Sequence, residues 1–199
     1  MNHEAPSTEA LIKLFSYYRD AEMRGATLLI KMMQRDPDPE AQVLFSRHIA
    51  DETRHAWLWT RRIRQLGGFP VSVPDGYQRR LGKALGIPMN IIDLFALTVI
   101  VEERSLRRYN EHAASPHCDD ETRVLLDELS NDEKWHISWT EEWMTRLAHV
   151  AGSQARVRAQ LERYRQIEND IFESFKEEER RWLGFSFSDA DESSVLAAV

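Results

Sequence analysis

From Thr8 onward, apolar side chains recur every three or four residues, at Leu11, Leu14/Phe15, Tyr18, Met23, Ala26, Leu29/Ile30 and Met33. That spacing keeps one face of an α-helix apolar over roughly six turns. Asp36-Pro37-Asp38-Pro39 ends this helix and begins a second, with Asp38 as N-cap and Pro39 at the first helical position. The second helix continues through Val43, Leu44, Ile49, Trp59 and Ile63 to Gly67-Gly68. Residues 69–87 are broken by prolines and glycines and read as a long connection, with a short helix around Tyr77 to Leu85. Pro88 opens a third long helix that runs to about Ala114, where Ser115-Pro116 breaks it. Asp119 or Asp120 caps a fourth, which Gly152 ends. A fifth, over 153–183, is heavily charged, with a thin stripe of Val157, Leu161, Tyr164, Ile171 and Phe175. No alternating strand pattern competes with these. The chain therefore reads as an all-α domain over 1–185: two helix pairs joined by a long connection, a fifth helix covering one end of the bundle, and a flexible tail over 186–199.

Composition narrows the class. With 199 residues, 42% hydrophobic and 30% charged, the chain fits an ordinary globular domain with a sizeable core. The longest apolar stretch, Leu94 to Val101, is too short to span a bilayer, and no basic-then-apolar leader precedes it, so the cytoplasm is the expected location. A net charge of −7 argues against a nucleic-acid binder. One cysteine, Cys118, excludes an intramolecular disulfide and any four-cysteine metal site.

The chemistry sits in a doubled motif. The second helix carries Asp51-Glu52-Thr53-Arg54-His55 and the fourth Asp132-Glu133-Lys134-Trp135-His136. Residues three apart share a helix face, so each Glu-x-x-His aims a carboxylate and an imidazole at one point. With 20 Glu and 7 His in the chain, about 0.7 such pairs arise by chance, and about 0.05 with a preceding Asp. Two copies in matching helices are a strong signal. The other helix of each pair offers a further carboxylate. In the first helix this is Glu22, which shares the apolar face with Phe15, Tyr18, Ala26 and Leu29. In the third, Glu102 lines up with Phe95, Thr98, Val99 and Tyr109, whereas Glu103 lines up with Arg107 and Asn110; Glu102 is the choice. Local similarity of Ala21-Glu22-Met23-Arg24-Gly25 to Val101-Glu102-Glu103-Arg104-Ser105 supports the pairing. Four carboxylates and two imidazoles converging inside a bundle require cations to offset their burial. The thiolate-free donor set suits iron or manganese.

Over residues 8–150 the sequence resembles the ferritin-like di-iron carboxylate superfamily, whose bundles use this ligand pattern. Val101-Glu102-Glu103-Arg104-Ser105-Leu106-Arg107-Arg108-Tyr109-Asn110 is similar to the third-helix segment of demethoxyubiquinone hydroxylases. Glu102-x-Arg104-Ser105 is similar to that of tRNA hydroxylases, and Asp-Glu-x-x-His resembles desaturases and rubrerythrins. The resemblance implies a ferritin-like antiparallel four-helix bundle with an additional C-terminal helix. It also implies two iron ions (manganese as the alternative) held by Glu22, Glu52, His55, Glu102, Glu133 and His136. Glu52 and Glu133 would bridge the metals, and Asp51 and Asp132 would orient the histidines. The rubredoxin cysteines of rubrerythrins are missing.

Other side chains read more plainly. His48, one turn before Glu52, is expected as a packed or hydrogen-bonded histidine on the edge of the stripe, with an extra ligand or a proton relay as the alternatives. His112, His117 and His149 are expected at the surface. Tyr109, two turns from Glu102, is expected either to hydrogen-bond near the metals or pass an electron, or to be a plain core tyrosine. Trp57, Trp59, Trp135, Trp139 and Trp143 are expected to pack around the centre. The basic residues Arg61, Arg62, Arg64, Arg79, Arg80 and Lys83 could dock a phosphate-bearing substrate or carrier protein. Small residues beside the ligands, Gly25, Ala26, Thr98 and Ser105, suggest room for substrate. The expected function is an O₂-activating oxidoreductase that hydroxylates or otherwise oxidises a small-molecule or carrier-bound substrate, with ferroxidase or peroxidase chemistry as the alternative. No internal flavin, haem or iron–sulfur motif is visible, so an external electron donor or reductase is the expected partner, and a homodimer is possible.

Overall fold

The computed structural model describes residues 6–86, 88 and 90–187. Its six helices are α1 (Thr8–Met33), α2 (Pro39–Gln65), α3 (Tyr77–Leu85), α4 (Ile91–Ala114), α5 (Asp120–Val150) and α6 (Gln154–Leu183). Short polar side chains start most of them. Ser7 Oγ, Asp38, Asn90 and Asp119 each accept a first-turn backbone N–H, and Pro39 follows Asp38 as expected. α4 begins three residues later than Pro88 suggests, because Asn90 supplies the cap that proline cannot. α6 ends at Gly184, whose φ of 81° lies in the left-handed region that glycine enters freely.

α1 packs on α2 and α4 on α5 as helical hairpins, and the two hairpins face each other. Across the α2–α5 seam, Arg62 meets Glu121, Arg54 meets Asp132 and Glu40 meets Arg146. Residue numbers rise on one helix as they fall on the other, so these helices are antiparallel. The same holds for α1 and α4, where Tyr18 contacts His112 and Met32 contacts Thr98. The long connection after α2 carries the chain back along the bundle so that α4 can run in this sense. α6 departs from expectation. It lies along α4 and α3 rather than over one end, with buried residues from Val157 to Leu183 spanning both halves of the core.

Those halves are distinct. One gathers Leu29, Met32, Phe45, Phe95, Trp139 and Trp143; the other gathers Leu14, Phe15, Trp59, Ile63, Leu126 and Leu129. On each of the four bundle helices, the Glu and His residues singled out by sequence fall between the stretches feeding the two halves. The bundle is thus two apolar plugs with a polar layer at mid-height. Apolar burial on both sides fixes the helices that carry that layer.

The charges of α6 also have a purpose that its sequence hides. Arg104 of α4 makes paired bonds of 2.6 and 2.7 Å to Glu168, to which Tyr77 also donates, and Arg108 pairs with Glu179. Ser186 and Phe187, expected in a flexible tail, are buried: Ser186 donates to Glu179 and Phe187 stacks on His112. The rest of that expected tail, residues 188–199, lies outside the described residues. Among the described residues no helix is long and apolar enough to cross a membrane.

Candidate metal centre

All six predicted ligands meet in the mid-height layer: Glu22 from α1, Glu52 and His55 from α2, Glu102 from α4, Glu133 and His136 from α5. Each is at most 4% exposed. Their donor atoms fall into two groups, each within 4.8 Å: Glu22, Glu52, His55 and Glu133 in one, His48, Glu52, Glu102 and His136 in the other. Glu52 belongs to both. Glu133 spans them too, since one of its oxygens is 3.5 Å from His55 Nδ1 and the other 3.3 Å from His136 Nδ1. Glu103 stands outside the layer, bound to Arg165 of α6 at 2.7 Å.

The histidines are aimed by a crossed arrangement. His55 Nε2 lies 3.1 Å from Asp132 of α5, and His136 Nε2 lies 3.4 Å from Asp51 of α2. Each aspartate therefore orients the histidine of the opposite helix, not of its own motif. A carboxylate that takes the Nε2 proton leaves the Nδ1 lone pair facing inward, as metal ligation demands. Tyr109 also has a place here. Its hydroxyl donates to Glu22 and accepts from Trp59 Nε1 at 3.2 Å, and burial, followed by the nearby Glu22 charge, raises its pKa well above the usual phenol value.

The electrostatics show what the layer lacks. Burial, then the neighbouring Glu102, Glu22 and Glu133, pushes Glu52 well above the carboxylate range. Burial pulls His55 down, yet the Glu133 and Glu22 carboxylates, each 3.5 Å from Nδ1, outweigh it and lift the imidazole to about 12. Burial likewise opposes Asp51 and Glu133 at His136, which they raise to about 9. Burial favours a proton on Glu133, yet His136 and His55 hold it down to about 2, so in the metal-free chain protonated imidazoles face an ionised Glu133. Even so, Glu52 Oε1, His55 Nδ1 and Glu133 Oε1 are buried with no hydrogen-bond partner. Unpartnered buried donors around one point are costly unless a cation takes their lone pairs. The residues fit a pair of divalent metal ions.

Several expectations need correction. His48 is not at the edge of the stripe but in the layer, fully buried, with Nε2 3.4 Å from both Glu52 and Glu102. Its position four residues before Glu52 and seven before His55 placed it on their face, and that signal was in the sequence. His112 is not at the surface; it is 1% exposed, bonded to Tyr18 and stacked on Phe187. Trp57 is 60% exposed and does not pack around the centre. Of the basic residues, Arg62 is buried and paired with Asp119, Glu121 and Thr122, and Arg80 and Lys83 bind Asp75. Gly25 leaves no room for substrate: a Cβ there would sit 2.1 Å from Glu52 Oε2. The glycine is where α1 lets the Glu52 carboxylate pass.

No curated protein matches the chain. A solved structure described as protein 19 with aldehyde deformylating oxidase activity, from Synechococcus, superposes with a TM-score of 0.72. It is 21% identical, and the match covers 92% of this chain and 84% of that one. At this identity the likeness establishes a shared helical fold. The family model for the ferritin-like domain matches residues 38–150, more than half of the sequence and both Glu-x-x-His segments. The chain belongs to the ferritin-like domain family.

Proposed function

We propose that this protein is a non-haem di-iron oxidoreductase that uses O₂ to oxidise an organic substrate. The observation that carries the reading is the pair of donor groups that share Glu52 and are spanned by Glu133, with unpartnered oxygens and the His55 nitrogen turned inward. Bound iron would supply the electrons and the oxygen chemistry. The ligands named above would hold the two ions, with Asp51 and Asp132 keeping the His136 and His55 protons on Nε2. Tyr109 would hold one oxygen of Glu22, and the two apolar halves of the core would exclude water from above and below.

Substrate access is supported by a small cavity of about 50 Å³ that Tyr109 lines together with Tyr17, Tyr18, Ser105, Phe172 and Phe175. Its mostly aromatic walls suit a small apolar group. The arginines beside it, Arg104 and Arg108, are engaged by Glu168 and Glu179, so a free anionic group is not what the cavity favours. The aldehyde deformylating oxidase activity described for the Synechococcus protein accords with the proposal.

The test is an anaerobic Fe(II) titration, followed by O₂ and a single-turnover assay with ¹⁸O₂ against small apolar candidates. Binding of two Fe(II) per chain, ferric-pair absorption after O₂ and oxidation of a candidate support the proposal. Negligible iron binding overturns it. So does rapid, repeated Fe(II) oxidation that builds a mineral core with no organic product.

A further inference from the structure

His48 joins the donor group of Glu52, Glu102 and His136, and its Nε2 is buried, unpartnered and 3.4 Å from two carboxylates. Two chemistries fit that position. Nε2 could offer a lone pair, which would make His48 a third histidine ligand, or it could carry a proton and donate to a carboxylate. The other ring nitrogen decides between them. Trp139 Nε1 lies 3.1 Å from His48 Nδ1 and donates to it. An indole N–H has no lone pair, so Nδ1 must accept, and a neutral imidazole that accepts at Nδ1 carries its proton on Nε2. A protonated Nε2 cannot ligate a metal.

The same reasoning applied to His55 and His136 gives the opposite answer, and so acts as an internal control. Their outward nitrogens face Asp132 and Asp51, which accept protons, so each inward nitrogen can offer a lone pair once ligation displaces the proton it holds in the metal-free chain. The three inward-facing histidines differ by what stands behind them: an acceptor behind two, a donor behind the third.

A second observation gives His48 its role. On the other side of the layer, Trp59 Nε1 donates to Tyr109, whose hydroxyl donates to Glu22. Trp139, His48 and Glu102 repeat that order: an indole fixes a polar group, which aims a proton at the carboxylate supplied by a helix without a Glu-x-x-His. Stacking of His48 on His136, with ring centroids 3.6 Å apart, holds the imidazole in that plane. We propose that His48 is a positioning residue whose Nε2–H holds one oxygen of Glu102, with Glu52 within reach, and that it is not a third histidine ligand. The inference rests on the two-metal reading of the centre.

X-ray absorption on the Fe(II)-loaded wild-type protein counts imidazoles per iron pair. Two support the inference; three overturn it while leaving the two-metal reading intact. A wild-type protein that binds no Fe(II) overturns both. His48→Leu, with helicity checked by circular dichroism, should keep two imidazoles per pair and weaken the second Fe(II) by roughly tenfold. His48→Gln, which restores an N–H, should recover most of that loss. Trp139→Phe leaves His48 in place and should weaken the same metal, so the effect remains readable even where a His48 variant folds poorly. A lower imidazole count in His48→Gln, or wild-type affinity in both His48→Leu and Trp139→Phe, overturns the assignment.

Discussion

Replacing Gly25 with alanine separates the demands of the fold from those of the centre. In the middle of a helix this change normally stabilises by about 0.5–1 kcal/mol, because glycine loses more backbone freedom on folding. Here the new methyl would stand 2.1 Å from Glu52 Oε2 and 3.1 Å from its Cδ. Van der Waals contact needs upwards of 3 Å, so the carboxylate must retreat by about 1 Å. It can do so, being the end of a flexible side chain. A metal–carboxylate bond of about 2 Å tolerates errors of only a few tenths, and a displacement of that size breaks it. Gly25→Ala should therefore leave the metal-free melting temperature unchanged or raised by about 1–4 °C. It should also weaken at least one of the two metals by about 100-fold or more. Fe(II) titration, with calorimetry of the metal-free and loaded forms, reads both quantities; the stabilisation that loading gives should shrink sharply. Two ions bound at wild-type affinity would refute the steric argument. A collapse of the metal-free melting temperature would show that the helices, not the carboxylate, absorb the clash.

Four further outcomes follow from the geometry and the electrostatics. Glu102→Gln should lose at least one metal, while Glu103→Gln should load normally, because Glu103 is committed to Arg165; elemental analysis after reconstitution decides between them. At pH 7 the metal-free His55 and His136, raised to about 12 and about 9, hold protons that ligation must displace, so loading should release about two protons from the imidazoles; a pH-stat reads this, and no release contradicts the assignment. Raised imidazoles give stability that is full below the unfolded value of about 6.5 and lost as pH rises through the folded value, so the metal-free melting temperature should fall between about pH 7 and 10. Asp119 caps α5 through Thr122 and binds Arg62, and although burial opposes them these bonds lower its pKa below 3.8. Asp119→Ala should cost about 1–2 kcal/mol at neutral pH, and the difference should vanish only as acid passes below about pH 4, where the wild-type carboxylate protonates.

What was legible in the sequence was whatever a single helix face records. Periodicity gave the helices within a few residues, and shared faces with apolar neighbours selected Glu22 and separated Glu102 from Glu103. What was not legible depends on which helix lies opposite. Charge along α6 reads as solvated until Arg104 and Arg108 of α4 are seen to meet Glu168 and Glu179. His112 reads as a surface residue because nothing near it in sequence announces Phe187, which returns from beyond α6 to cover it. Gly25 reads as open space because the group that fills it belongs to α2. His48 is the intermediate case: its face was readable, but the indole behind it comes from α5.

The crossed aspartates explain why Asp must precede Glu in both motifs. Were each aspartate to serve its own helix, the two Asp-Glu-x-x-His segments could slide past one another and each still be complete. Because Asp51 meets His136 and Asp132 meets His55, both pairings are satisfied together only when α2 and α5 are antiparallel in one register. A shift of one turn, about 5.4 Å, would break both contacts and carry Glu133 away from His55. Arg54, which binds Asp132 and Glu128, and Arg62, which binds Asp119 and Glu121, fix the same register nearer the α5 N-terminus. The apolar halves alone would tolerate slippage, since Leu, Phe and Trp can repack against different neighbours. Polar partners with defined donors and acceptors do not. The layer that prepares the metal centre is therefore also what sets the register of the two helices that carry most of it.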